Sequence, residues 1–120
     1  MNISKACCPY MIGKSGGKLY RLTDHFEMRP DRYSVMKFEL PPQGRVAEHC
    51  HPADEETYYV VRGMAEVNLD HKLYILNPGD LLYVPPSKKH SLKNTGDEEL
   101  TLLVIFSSAE ALERSIYVEE

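Results

Sequence analysis

Apolar and polar residues alternate along most of this chain with the period of a strand that buries one face. In "RYSVMKFEL" (residues 32–40) Met36, Phe38 and Leu40 share one side, and Val35, Lys37 and Glu39 the other. "PPQG" (41–44) breaks the pattern as a turn. "ETYYVVRG" (56–63) is rich in aromatic and β-branched residues and stops at Gly63. "MAEVNLD" and "KLYIL" alternate on either side of Asp70-His71, the pattern of a hairpin. "NPGD" (77–80) is a turn, "LLYVPP" a strand and "HSLKN" (90–94) another. "NTGDE" (94–98) reads as a hairpin-type turn into "LTLLVIF" (100–106), a run apolar on both faces. Such a run is either covered by a second sheet or lies in a subunit interface. "GGKLYRLTD" (16–24) suits an extra edge strand. Only "SSAEALERS" (107–115) has helical character, with Ser107 or Ser108 as N-cap and Glu110 or Glu113 early in the helix. Many short strands punctuated by Gly and Pro predict an all-β sandwich or small barrel with a short C-terminal helix.

Composition narrows the function classes. The 120 residues fit one domain, 1–120, large enough for a proper core. Fourteen basic against eighteen acidic residues give a net charge of -4 with no basic stripe, which argues against a nucleic-acid partner. No apolar run approaches the roughly 20 residues of a membrane span. The N-terminus lacks the basic start and unbroken apolar core of a signal peptide. Cys7, Cys8 and Cys50 are odd in number and poorly spaced for a disulfide framework. The expectation is a soluble cytoplasmic protein with reduced thiols, its Cys7-Cys8 pair a frayed terminal feature rather than a metal or redox site. The two-faced run 100–106 and the open strand edges of so short a chain predict a homodimer.

The candidate chemistry lies in "HCHPADEE" (49–56). Residues two apart on a strand project to the same side, roughly 6.5 to 7 Å apart. His49 and His51 therefore point together and Cys50 away. Two imidazoles so placed can converge on one ion about 2 Å from each nitrogen. The turn at Pro52-Ala53-Asp54 lets the next strand bring a carboxylate beside them, from either Glu55 or Glu56. If Glu56 faces inward, Tyr58, Val60 and Arg62 follow; if Glu55 does, Thr57, Tyr59 and Val61 follow. Periodicity does not choose between them. Taken alone, this pattern is a weak signal that solvated loop histidines explain better.

A second cluster, "GDLLYVPPSKKHSLKN" (79–94), changes that. A tight turn feeds an apolar strand, a Pro-Pro pair ends it, and His90 opens a new strand that ends at Asn94. Together the clusters resemble both halves of the cupin signature. The first spans 44–63, as Gly44-x4-His49-x-His51-x4-Glu56-x6-Gly63; the second spans 79–94, as Gly79-x5-Pro85-x4-His90-x3-Asn94. Two positions depart from the commonest form: Gly44 sits one residue closer to the histidines, and Ser87 stands where glycine is usual.

The resemblance implies a small single-domain cupin, an antiparallel jelly-roll barrel. It selects Glu56 over Glu55 and implies one divalent transition metal held by His49, His51, Glu56 and His90. Three imidazoles and a carboxylate suit Fe(II) or Mn(II) first, with Co, Ni, Cu and Zn as alternatives. Four protein ligands leave two positions of a six-coordinate ion for water, substrate or dioxygen. Tyr58 is the nearest non-ligand candidate for a catalytic role, with a resting pKa near 10 that makes it a poor base. Met36, Phe38 and Leu40 would form core and an apolar wall. Lys88, Lys89 and Arg62 are weaker candidates for substrate contact, Asn94 reads as a turn cap, and His25 and His71 as exposed. The expected partner is a small, oxygen-rich substrate. Three functions remain: a dioxygenase, a metal-dependent isomerase, lyase or decarboxylase of a sugar acid or keto acid, and a non-catalytic metal- or ligand-binding module.

Overall fold

The structure, a computed structural model, describes residues 2–5 and 9–117; Cys7 and Cys8 lie outside them. Among the described residues, eleven strands form two antiparallel sheets that face each other as a jelly roll. The strands are β1 (Met11–Ile12), β2 (Lys18–Tyr20), β3 (Ser34–Leu40), β4 (Arg45–Cys50), β5 (Glu56–Arg62), β6 (Ala65–Leu69), β7 (Lys72–Leu76), β8 (Leu81–Val84), β9 (His90–Lys93), β10 (Leu100–Phe106) and β11 (Ile116–Tyr117). One sheet runs β1-β2-β3-β10-β5-β8, the other β11-β4-β9-β6-β7. The alternating residues Met36, Tyr58, Val60, Val67, Leu92 and Leu102 meet between the sheets and are buried. Phe38 packs against them from a partly buried position.

The turn chemistry follows the residues that carry it. Asp70 and His71 both take positive φ (51° and 67°), the two-residue geometry that matches the twist of the β6-β7 hairpin. Gly79 (φ 93°) follows Pro78 in the turn into β8, where Asp80 N–H donates to the Asn77 carbonyl at 2.9 Å. Gly63 is needed between β5 and β6: its φ is 82°, and a Cβ there would lie 2.6 Å from the Glu99 carbonyl oxygen.

Two expectations are corrected. Residues 94–98 do not close a hairpin, because β9 and β10 belong to different sheets and the segment crosses between them. Asn94, fully buried, organises that crossing. Its Oδ1 accepts from Gly96 N–H at 3.0 Å, and its Nδ2 donates to the carbonyls of Leu40 and Glu98, each at 2.9 Å. Nor does 107–115 form an α-helix: bends lead to one turn, in which Arg114 N–H donates to the carbonyls of Glu110 and Ala111, both at 3.2 Å. Ser108 Oγ accepts from Glu110 N–H at 3.3 Å, as an N-cap does, but Ser107 is engaged by Glu55. Ser107 N–H donates to the Glu55 carbonyl at 3.0 Å, its Oγ accepts from Glu55 N–H at 2.8 Å, and the chain then enters β11. β10 is the centre of its sheet. The second sheet covers its inner residues, whereas Ile105 faces outward and is exposed.

Candidate metal centre

His49, His51 and His90 meet because β4 and β9 pair antiparallel with a register shift. Val46 opposes Leu92 and His49 opposes His90, so β4 spends one residue more than its partner between these pairs. This bulge changes the parity of β4. Val46 and His49, three residues apart, both reach the interior, and His51 follows at the strand's end. Their imidazole nitrogens and that of His90 lie within 4.8 Å of one another, and all three residues are buried. The register of β5 turns Glu56 inward with Tyr58 and Val60, while Tyr59 and Val61 are exposed. Glu55 faces the outer side, where its carboxylate accepts from the Tyr83 hydroxyl at 2.5 Å.

In each histidine one nitrogen is already committed. Nδ1 of His49 donates to the Ala47 carbonyl at 2.8 Å, and Nδ1 of His90 to that of Lys88 at 2.9 Å. Nδ1 of His51 lies 2.9 Å from Ser115 Oγ, which itself donates to the Leu112 carbonyl at 2.8 Å and so accepts from the imidazole. With the proton on Nδ1, each ring turns an Nε2 lone pair to the centre, the tautomer a metal ligand requires. Glu56 Oε1 lies 3.4 Å from His51 Nε2 and 2.9 Å from His90 Nε2. These three atoms are buried, yet none makes a hydrogen bond of acceptable geometry. Orphaned polar atoms of this kind are costly unless something not a protein group satisfies them. The donor set therefore fits a divalent ion.

The electrostatics agree. Burial, then repulsion from His90, lowers the His49 pKa to about 4 and keeps the ring neutral. For His90 burial acts in the same direction, but the Glu56 carboxylate outweighs it and the pKa is raised. Burial would raise Glu56, but His51 and His90 reverse this and hold it below the usual carboxylate range. Burial, then the Glu56 charge, pushes Tyr58 well above 10. Its phenol stays protonated, suited to donating a hydrogen bond and not to acting as a base.

His49, His51 and Glu56, but not His90, line a cavity of about 420 Å³ between the sheets, walled mainly by apolar side chains that include Met36 and Phe38. Tyr58 lines it; Leu40, fully buried in the core, does not. Lys88 and Lys89 are exposed and outside the lining, and Lys88 pairs with Asp70 at 3.4 Å. Arg62 pairs with Glu98 at 3.0 Å on the surface. His25 and His71 are exposed. Ser87 has φ 67°, which accounts for the glycine usual at that position, and its N–H donates to the His51 carbonyl at 3.0 Å.

The sequence reading missed the C-terminal strap. Arg114 reaches a nearly fully buried Asp54 with Nη2 at 2.8 and 3.0 Å from the two carboxylate oxygens, and ties the strap to the loop between His51 and Glu56. Beyond Ser115, β11 pairs with β4, and the Tyr117 ring stacks on His49 with centroids 4.9 Å apart and planes at 28°. These partners lie more than 50 residues apart in sequence, and no local pattern announces them.

Comparison with known proteins places the architecture. The family described as "Cupin domain" matches residues 36–106. A Streptomyces cyaneus protein named polyketide synthase CurC is 40% identical over 64 residues, which are 53% of this chain and 42% of that protein. Quercetin 2,3-dioxygenase of Bacillus subtilis is 30% identical over 79 residues, 66% of this chain and 23% of the enzyme. The chain thus spans less than half the length of either relative. Oxalate decarboxylase of Lactobacillus farciminis, solved as a formate complex, superposes with a TM-score of 0.81 at 25% identity, covering 92% of this chain and 33% of that one.

Proposed function

The chain belongs to the cupin family, and on that premise we propose that it is a metal-dependent enzyme acting on a small oxygen-bearing molecule, a dioxygenase before any other class. One observation carries the reading: buried Nε2 atoms of His51 and His90 and Oε1 of Glu56 converge without partners, beside His49, and His49, His51 and Glu56 line an apolar cavity. His49, His51, Glu56 and His90 are the ligands in this reading. When bound, an Fe(II) or Mn(II) ion would supply a site where substrate oxygens and dioxygen meet. The chain's own residues would do the rest. The three Nδ1 anchors fix the imidazoles, the apolar walls exclude water, and Tyr58 donates a hydrogen bond to a substrate oxygen. The similarity to quercetin 2,3-dioxygenase supports this choice. We place the protein in the cytoplasm as a homodimer without nucleic-acid or membrane partners; among the described residues no helix is long and apolar enough to cross a membrane.

The likeness to oxalate decarboxylase favours a second reading, a Lewis-acid isomerase, lyase or decarboxylase of a sugar acid or keto acid. A non-catalytic binding module is the third. The three separate when metal-free protein is reconstituted with Fe(II), Mn(II) or Zn(II) and offered catechols, enediols and 2-hydroxy acids with and without oxygen. The dioxygenase reading expects oxygen uptake and product with Fe(II) or Mn(II) in air only. Equal anaerobic turnover, or turnover with Zn(II), eliminates it. Saturable binding without product identifies the module.

A further inference from the structure

The cavity above the centre also has a chemistry of its own. Met36 and Phe38 of β3, Leu92 of β9, and Leu102, Val104 and Phe106 of β10 enclose it from both sheets. Apart from the histidines and Glu56, the charged lining residues are Lys14 and Arg45, and both are exposed and so lie at the rim. Among the described lining residues that are buried and outside the ligand set, Tyr58 has the only polar side chain. A ligand that reaches the centre with two oxygens therefore finds hydrocarbon around the rest of its body. Additional hydroxyls or carboxylates would be stripped of water there with one buried phenol, Tyr58, to receive them, since the other lining hydroxyls, those of Ser15 and Tyr117, belong to residues that are not buried. A volume of about 420 Å³ is at the lower end of small-molecule pockets and far exceeds what a two-carbon diacid fills.

We propose that this cavity selects apolar-bodied oxygen chelators: molecules that present two adjacent oxygens to the centre and an alkyl or aromatic body to the walls. Polyols, sugar acids and short dicarboxylates are disfavoured. The inference rests on the metal-centre reading and adds the substrate class to it.

The test keeps the chelating pair constant and varies the body. The full chain is loaded with Co(II) under anaerobic conditions, its metal content is measured, and 4-tert-butylcatechol and 1,2,4-benzenetriol are titrated by calorimetry and by the visible Co(II) bands. The expected result is one ion per chain and at least about tenfold tighter binding of the tert-butyl compound, in line with the burial of several apolar carbons. Phe38→Ala should keep the ion and lose most of the preference. One ion per chain with equal affinities, or tighter binding of the triol, overturns the substrate class and leaves the metal centre standing. A preference unchanged in Phe38→Ala overturns the assignment to this cavity. A chain that takes up no ion overturns the metal-centre reading, and the substrate class with it.

Discussion

Ser115 Oγ stands 2.9 Å from Nδ1 of His51, joining the end of the described chain to one histidine of the centre. With its own proton directed to the Leu112 carbonyl at 2.8 Å, the serine is placed to accept from the imidazole. Ser115→Ala should then leave the fold intact and weaken metal binding about tenfold, the scale on which such supporting hydrogen bonds act. Competition against a fluorescent chelator measures this; an unchanged affinity would show that His51 needs no such anchor.

The strap is held by Arg114 against Asp54, whose carboxylate is 2% exposed. Removing the guanidinium leaves that carboxylate buried and unpaired. Because Arg114 is itself about half exposed, the loss is well below that of a fully buried pair. Arg114→Ala should cost about 2 kcal/mol in urea unfolding. It should also reproduce part of the Ser115→Ala defect in metal affinity. Wild-type stability in this variant would contradict the structural role of the pair.

Burial and His90 lower His49 to about 4 from an ordinary 6.5. In metal-free protein the unfolded chain takes up this proton first on acidification, and the folded chain resists it. His49 thus contributes stability that is complete above pH 6.5 and lost as the pH falls toward 4, on the order of 3 kcal/mol. His90, with a raised pKa, acts in the opposite sense, so the comparison must be between variants. Between about pH 7 and pH 4.5 the wild type should lose more stability than His49→Gln when both are unfolded in the presence of chelator. Equal slopes would show that His49 is not held neutral.

The outer face of the β10 sheet carries Tyr59, Val61, Leu81, Tyr83 and Ile105, all exposed. Contiguous apolar faces of this kind mark association. Light scattering should give twice the chain mass of 13.7 kDa at micromolar concentration, and Val61→Lys should shift it toward monomer. A monomeric wild type would contradict the homodimer.

Local periodicity made most strands legible, and its breaks at Asp70-His71 and at "NPGD" (77–80) marked turns in which Asp70, His71 and Gly79 take positive φ. Resemblance to a known signature supplied what periodicity left open, the inward register of Glu56, which the structure repeats. The β4 bulge was not legible: alternation between His49 and His51 is correct, but it places Val46 on the wrong face until one residue is absorbed at the bulge. The expected helix at 107–115 failed for a related reason. Its propensity was real and Ser108 caps Glu110 N–H, but Ser107 is bound to Glu55 and Arg114 to Asp54, far away in sequence. Ser115 and Tyr117 escaped notice because their roles depend on β11 pairing with β4, a contact set by tertiary structure alone.

Metal content per chain, measured across single substitutions after reconstitution, tests the central assignment most directly. Wild type should hold one divalent ion, and His49→Ala, His51→Ala, Glu56→Ala and His90→Ala should each lose most of it. Cys50→Ala and Glu55→Ala should stay near wild type, since Glu55 faces Tyr83 on the outer side. A wild-type chain without stoichiometric metal would contradict the account, as would loss of the ion in Glu55→Ala with retention in Glu56→Ala.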